Sequence, residues 1–229
     1  MEKAIVFDTG SIISLTANNL LWMLEPLRTQ FQGSFYISKH ARIELIDKPL
    51  TIKRFEFEAL QAFQYIKKGI IEEITDKRVY ELARKIENLA NTLLGSHQQS
   101  ISLVSPADAE CLAAAIVFEA KALVIDERTT RLLVEDRLLL KKLMEAKLKR
   151  SLSMNKHVDR ELERIVKGTK ILRSFEIVVI GYQIGLLDKF LPNAKDAKRI
   201  LLDAALWGVK TDGCAVSEKE ISQVVKVYA

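Results

Sequence analysis

The amino-acid sequence predicts an α/β fold with a mostly parallel sheet of about five short strands. Short apolar runs alternate with longer amphipathic stretches along most of the chain, as they do in strand–helix–strand folds. The apolar runs are continuous, which is typical of strands that are covered on both faces. Hydrophobic residues make up 48% and charged residues 28% of the 229 residues, which is the balance of a protein with a packed core.

Five short apolar segments are the strand candidates. The first, residues 3–7, ends at Asp8 in a turn signal, and the fourth, residues 122–125, ends at Asp126. The other three lie at 35–37, 70–74 and 170–172. Because parallel strands place their carboxyl ends at one edge of the sheet, the residues that follow them are candidates for a shared site.

Amphipathic segments between these strands are the helix candidates. Ser38 is a good N-cap for a helix that Pro49 ends, and Ser105 is followed by Pro106 at the first position of another helix. The polar segment 96–105 is predicted to be a loop. The remaining predicted helices cover 9–31, 52–68, 76–94, 127–167 with a polar break at 151–156, 174–187, 194–206 and 217–227.

The chain is predicted to form one α/β domain over residues 1–190 and a helical extension over 191–229. Residues 136–168 are longer than one connection between strands needs, so we interpret them as an inserted helical hairpin. The sequence shows no internal repeat, low-complexity tract or flexible linker. The prediction is therefore a single domain with two helical additions.

Basic residues are concentrated in one segment. The net charge is +5, but residues 137–170 hold eleven Lys or Arg and four Asp or Glu, a local net charge of +7. Such a concentration favours a polyanion partner, while a solvated helical face is the simpler explanation for a charge run alone. The candidates for phosphate contact are Lys147, Lys149 and Arg150, with Lys141, Lys142 and Lys156 beside them. The leucines of this segment need cover from the domain itself, a second subunit or a partner's helix.

Several functional classes are disfavoured by composition. Cys111 and Cys214 cannot build a disulfide framework, so a reducing, cytoplasmic location is expected. Cys111 is expected to be buried. No secretion signal and no apolar run of ~18 residues is found, so no membrane partner is expected. His40, His97 and His157 lack the spacing of zinc ligands. Aromatic residues are sparse, and no basic-aromatic interleaving of an RNA-stacking module is visible.

Four acidic residues are candidates for a metal-dependent site. Asp8 and Asp126 directly follow predicted strands. Asp108 lies in the first turn of the helix before the fourth strand, and Glu44 lies on the helix after the second. Clustered carboxylates repel one another and need cations, and oxygen ligands suit Mg²⁺ or Mn²⁺. Each residue also has a structural explanation as a helix cap or a surface residue, but their joint placement favours chemistry.

The sequence resembles a PIN domain in four segments. They are VFDTGSIISL around Asp8, SKHARIEL around Glu44, SPADAECLAAAI around Asp108 and ALVIDERTTRLL around Asp126. The resemblance covers roughly residues 3–135 and resumes weakly at KILRSFEIVVIGYQIGLL. It implies a three-layer PIN-like fold and a metal-dependent ribonuclease, of the kind found as toxins of toxin–antitoxin pairs or as RNA-processing factors.

The resemblance also implies a role for each acidic residue. The implied ligands of Mg²⁺ or Mn²⁺ are Asp8, Asp108 and Asp126. Glu44 would be a further ligand or would orient a metal-bound water, and Thr9 or Ser11 would support the metal or the scissile phosphate. Either Asp126 or the adjacent Glu127 could face the metal, and Asp126 is preferred.

The predicted function is therefore divalent-metal-dependent hydrolysis of RNA. RNA is the expected substrate, and a homodimer or an antitoxin or other protein partner is a further expectation. The main alternative is a PIN-fold module that binds RNA or scaffolds an assembly without catalysis. A second alternative is a nuclease for branched or flapped DNA. The insertion and the extension weaken the toxin interpretation more than the nuclease interpretation.

Overall fold

The structure is a computed structural model that describes residues 3–96 and 99–229. Its strands are β1 (Ala4–Phe7), β2 (Ser34–Ile37), β3 (Glu72–Glu73), β4 (Leu94–Ser96), β5 (Gln99–Ser100), β6 (Ala122–Val124), β7 (Ser153–Met154) and β8 (Ile171–Leu172). Strands β3, β2, β1, β6 and β8 form, in that spatial order, a five-stranded sheet in which all neighbours are parallel. The predicted α/β class and parallel sheet are confirmed.

Helices connect and cover these strands. They are α1 (Thr9–Ala17), α2 (Leu24–Phe31), α3 (Lys39–Arg42), α4 (Glu56–Lys67), α5 (Lys77–Leu93), α6 (Pro106–Val117), α7 (Arg128–Glu135), α8 (Arg137–Leu148), α9 (Lys156–Val166), α10 (Ser174–Gln183), α11 (Ala197–Thr211) and α12 (Glu218–Tyr228). Helix α3 continues into a π-helical segment, Ile43–Asp47. Within the described residues, no helix combines the length and apolarity that crossing a membrane requires.

Both faces of the parallel sheet are buried, as the continuous apolar runs predict. Val6 packs with α5 and α6 on one face, whereas the next residue, Phe7, packs with α1, α2 and α10 on the other. Successive side chains of a strand point to opposite faces, so one strand serves both hydrophobic clusters. The central position of β1, between β2 and β6, places the carboxyl end of β1 in the middle of the sheet edge.

A small antiparallel sheet, with strand order β5-β4-β7, corrects the prediction of a loop at 96–105. In it Leu94 pairs with Met154 and Gly95 with Ser153. Residues 97–98 of the predicted loop lie outside the described residues. The sequence pattern missed this sheet because its strands are short and because β7 comes from the distant insertion.

The helical insertion packs onto the domain. Leu140, Met144, Leu162 and Val166 join the cluster that covers the Val6 face of the sheet. An ion pair between Lys85 of α5 and Glu161 of α9, at 2.7 Å, fastens the insertion at its surface. Of the leucines that need cover, the domain itself covers Leu140, while Leu138 stays 68% exposed.

The C-terminal extension shares the other cluster. Leu202, Leu206, Val209 and Ile221 are buried together with Phe175 of α10. Helix α11 packs on α10, and α12 packs on α11. The extension is therefore part of the hydrophobic core on the Phe7 face rather than an appended tail.

Candidate functional site

The carboxyl edge of the parallel sheet brings together acidic residues from four segments. Asp8 caps α1 after β1, Glu44 lies on the π-helical segment that follows α3, Asp108 lies in the first turn of α6, and Glu127 caps α7 after β6. Burial is the main cause of the raised pKa of both Asp8 and Asp108, and neighbouring carboxylates add to it. The charges of Asp108 and Glu44 raise the pKa of Asp8, and those of Glu127 and Glu44 raise the pKa of Asp108. We call this group the acidic edge.

Asp8 is the most deeply placed member of the acidic edge, with 5% of its surface exposed. Its Oδ2 accepts a hydrogen bond from the Gly10 N–H at 3.1 Å. Burial first, then the charges of Asp108 and Glu44, raise the pKa of Asp8 to about 7, although the backbone N–H groups of Gly10 and Thr9 oppose the shift. A nearby cation would favour the ionised carboxylate, so this position suits a metal ligand.

Asp108 combines a capping role with membership of the acidic edge. The Ser105 Oγ and N–H donate to its Oδ2 at 2.7 Å and 3.2 Å, and the Asp108 N–H donates back to Ser105 Oγ. Burial raises the pKa of Asp108, the hydrogen bonds from Ser105 oppose this, and Glu127 and Glu44 add to the increase. The helix-capping role given as an alternative explanation is therefore present, as a capping box with Ser105, at the acidic edge itself.

The two hydroxyl residues after Asp8 have different surroundings. Thr9 Oγ1 donates to Glu44 Oε2 at 3.0 Å and so joins the helix after β1 to the helix after β2. Ser11 is fully buried, and its Oγ donates to the backbone oxygens of Asp8 at 2.7 Å and Val124 at 3.3 Å. Thr9 thus contacts the acidic edge directly, while Ser11 fastens the start of α1 to β6.

Asp126 occupies a hydrogen-bonded network beside the acidic edge. It is 2% exposed; its Oδ1 accepts from the Ser174 N–H, and its Oδ2 accepts from the hydroxyls of Ser14 and Ser174, all at 2.7 Å. These bonds join the end of β6 to α1 and α10. Gly10 lies close to both Asp126 and Asp8. A Cβ atom at Gly10 would lie 3.9 Å from Asp126 Cβ and 3.4 Å from Asp8 Oδ2.

Helix α6 contributes two buried side chains beside the acidic edge, Cys111 and Glu110. The Cys111 Sγ lies 3.9 Å from Asp8 Oδ1, and burial first, then the charge of Asp8, raises the pKa of the Cys111 thiol well above its usual value. Glu110 is buried, and its Oε1 lies 2.7 Å from His40 Nδ1. The expected burial of Cys111 is confirmed, whereas sequence reasoning missed Glu110, Ser14 and the use of Ser174. Among them, Ser174 carried a signal, because it lies two residues after the end of the fifth strand segment.

The donor chemistry of the acidic edge fits a hard divalent cation. Its side-chain donors are carboxylate oxygens, which Mg²⁺ and Mn²⁺ prefer. Over residues 3–96 and 99–229, no three Asp, Glu, His or Cys side chains form a ready ligand group. The carboxylates instead accept local hydrogen bonds; the Glu127 Oε2, for example, accepts from the Thr130 N–H at 2.6 Å. Binding of a cation would therefore involve reorientation of side chains.

The predicted basic contacts lie on the insertion. Lys147 is exposed in the last turn of α8, and Lys149 is the exposed residue that ends this helix in the left-handed conformation. Arg150 is half-buried, and its backbone N–H donates to the backbone oxygen of Glu145 at 3.3 Å. Among the histidines considered as metal ligands, His97 lies outside the described residues.

Comparison with known proteins finds no family model, no curated protein and no solved structure that matches this chain. The chemistry of the acidic edge and the surfaces beside it is therefore the basis on which a function can be proposed.

Proposed function

We propose that this chain is a PIN-type ribonuclease that hydrolyses phosphodiester bonds with divalent metal at the acidic edge. The observation that supports the proposal most directly is the set of four mutually repelling carboxylates at the carboxyl ends of β1 and β6 and on the neighbouring helices. Ligands bind at this edge in open parallel sheets. A five-stranded parallel sheet with helices on both faces is compatible with a PIN-like fold.

Asp8 and Asp108 are the proposed metal ligands, with Glu127 beside them and Glu44 as a ligand or as the group that orients an attacking water. The sequence favoured Asp126 over Glu127. Three hydrogen bonds from Ser14 and Ser174 favour a positioning role for Asp126 instead. Mg²⁺ or Mn²⁺, when bound, would supply activation of a water and stabilisation of the leaving oxygen.

Hydrogen bonds within the chain position two carboxylates of the acidic edge. The Thr9 hydroxyl holds Glu44, and the Gly10 N–H orients Asp8. Because the pKa of Asp8 is raised to about 7, its carboxyl group retains a proton for part of the time at neutral pH. Ionised carboxylates are the ligand form, so binding of a cation would release this proton from Asp8.

The proposal is tested by cleavage of end-labelled single-stranded RNA in Mg²⁺ or Mn²⁺. We expect cleavage that EDTA abolishes. Asp8→Asn should reduce it by at least about a hundredfold, because a side chain that directly coordinates the metal is lost. Asp47→Asn is a matched control, since Asp47 ends the segment that carries Glu44 but pairs with Arg42 at 3.3 Å. This control is expected to cleave normally.

Three results would contradict the proposal in different ways. Full activity of folded Asp8→Asn would remove Asp8 from the site. Cleavage of flapped DNA alone would favour the DNA nuclease. Failure of folded wild-type protein to cut RNA and DNA would favour the non-catalytic binding module.

A further inference from the structure

Two neighbouring grooves lead away from the acidic edge. The first has a volume of about 510 Å³, lies between α1 and α4, and is lined by Glu44, Thr16 and Phe55 among others. The second has a volume of about 330 Å³ and is lined by Thr16, Trp22 and Tyr65 among others. Thr16 lines both grooves, so they adjoin one another, and Glu44 of the acidic edge lines the first. We call the two grooves together the groove path.

Aromatic rings along the groove path have cationic side chains above them. The pairs, with the distance from the cation to the ring centroid, are Arg54 with Phe55 (5.3 Å), Lys68 with Tyr65 (5.9 Å) and Lys189 with Trp22 (3.5 Å). Proteins bind single-stranded nucleic acid by stacking bases on aromatic faces while cations contact the backbone. These long side chains can move from the ring to an adjoining phosphate when a base takes their place.

The charges of the first groove determine which part of a nucleotide enters it. Glu44, Glu58 and Asp212 line this groove together with Arg54. The excess of carboxylates repels a phosphate from this groove, whereas the N–H groups of a base can donate hydrogen bonds to them. A nucleotide would therefore face inward with its base, and its phosphate would lie outward near the cations.

We propose that the groove path binds single-stranded RNA, with successive bases in the two grooves next to the scissile phosphate. The placement of the scissile phosphate beside these grooves rests on the proposed nuclease function, since Glu44 of the acidic edge lines the first groove. Bases of an RNA duplex are paired and stacked and cannot enter such grooves, so the substrate is unpaired RNA. The path also assigns a role to Phe55 and Tyr65, both of which lie outside the acidic edge.

The groove path can be tested separately from cleavage by measuring binding. The probe is a fluorescein-labelled oligouridylate of about twelve nucleotides, and its anisotropy is followed in Mg²⁺ with Asp8→Asn protein. We expect Phe55→Ala and Tyr65→Ala, each added to this background, to weaken binding by about tenfold. An RNA hairpin without an overhang is expected to bind more weakly than the single strand. Thermal melting checks that each variant is folded.

Phe57→Ala is the matched control. Phe57 is 70% exposed on the same helix as Tyr65 and lies outside the described lining of both grooves. Its substitution is expected to leave RNA binding unchanged. Unchanged binding by folded Phe55→Ala and Tyr65→Ala would overturn the groove path. An equal loss with Phe57→Ala, together with a lower molar mass in sedimentation, would also overturn it and would identify a surface for self-association.

Cleavage by the wild-type protein separates this proposal from the proposed function. Metal-dependent cutting together with unaltered binding of the Phe55 and Tyr65 variants would refute the groove path alone. Weakened binding by these variants, in a protein whose wild type cuts no RNA, would support the groove path and refute the nuclease.

Discussion

At the scale of the residue, the neighbouring carboxylates Asp126 and Glu127 have opposite surroundings. Asp126 is buried and accepts hydrogen bonds from Ser14 and Ser174, while Glu127 is exposed and contributes to the raised pKa of Asp108. Two residues that are adjacent in sequence at the end of a strand point to different sides. Their roles in stability and in cleavage are therefore expected to differ.

Substitution should separate these two roles. Asp126→Ala would leave the buried donors of Ser14 and Ser174 without their acceptor, so we expect the free energy of unfolding to fall by about 3 kcal/mol. Glu127→Gln keeps an oxygen for the Thr130 N–H, so its stability should change by less than about 0.5 kcal/mol. If the proposed nuclease function holds, the cleavage rate of Glu127→Gln should nevertheless fall at least about tenfold, because a charge near the proposed metal site is lost.

Urea unfolding and RNA cleavage measure these effects. Asp126→Asn serves as a conservative comparison, since it preserves the shape of the side chain. If Asp126→Asn is folded but inactive and Glu127→Gln is fully active, Asp126 rather than Glu127 is the metal ligand.

At the scale of the element, the insertion divides its residues between core and surface. Helices α8 and α9 bury Leu140 and Leu162 against the domain, while Lys147 and Lys149 remain exposed where α8 ends. A lysine that neutralises an RNA phosphate releases counterions, so its contribution depends on salt concentration. The end of α8 is therefore a candidate contact for RNA beyond the groove path.

Charge reversal tests this contact. Lys147→Glu with Lys149→Glu should weaken RNA binding and reduce the slope of log K against log salt by about 1.4, the value for two phosphates of a single strand. The matched control is Lys195→Glu with Lys198→Glu, which changes the charge equally on the extension. Binding measured from low to moderate salt gives both quantities. The same affinity and slope in both double variants would exclude the phosphate contact.

At the scale of the whole molecule, the C-terminal extension completes the core. Besides its buried apolar side chains, it is held by Arg173, a buried residue whose guanidinium donates to the Ala215 oxygen at 3.1 Å and to Glu220 Oε1 at 2.9 Å. Burial opposes ionisation of Glu220, but hydrogen bonds from Ser217 and contact with Arg173 outweigh it and lower the pKa of Glu220 to about 2. The attachment of α12 therefore depends on the charge of Glu220.

This shift predicts a loss of stability in acid. Because the folded-state pKa of Glu220 lies below its usual value of 4.5, its stabilising contribution is present above that pH and is lost as the pH falls towards about 2. Glu220→Gln should lower the melting temperature at neutral pH and should lose less on acidification than the wild type. Glu218→Gln, at a 73% exposed side chain of the same helix, is the control. Parallel melting curves of wild type and Glu220→Gln across this pH range would contradict the assignment.

Much of the fold could be predicted because its signals are local. Each of the five predicted strand segments overlaps a strand of the parallel sheet, and the capping residues Ser38 and Ser105 begin the helices expected of them. The antiparallel sheet was missed because β7 pairs with a segment more than fifty residues earlier, at Leu94 and Gly95. The aromatic residues of the groove path were missed because Trp22, Phe55 and Tyr65 are also far apart in the chain and show no common pattern in the sequence.

The sequence by itself determined the α/β class, the five segments that contribute to the parallel sheet, and the positions of acidic residues at strand ends. These follow from apolar periodicity and capping, which act over a few residues. Only the tertiary structure decided that Asp126 is enclosed by Ser14 and Ser174, that Glu127 joins the acidic edge, and that two adjoining grooves lie beside Glu44. Those features depend on contacts between segments far apart in the chain, and local patterns do not encode the direction in which a side chain finally points.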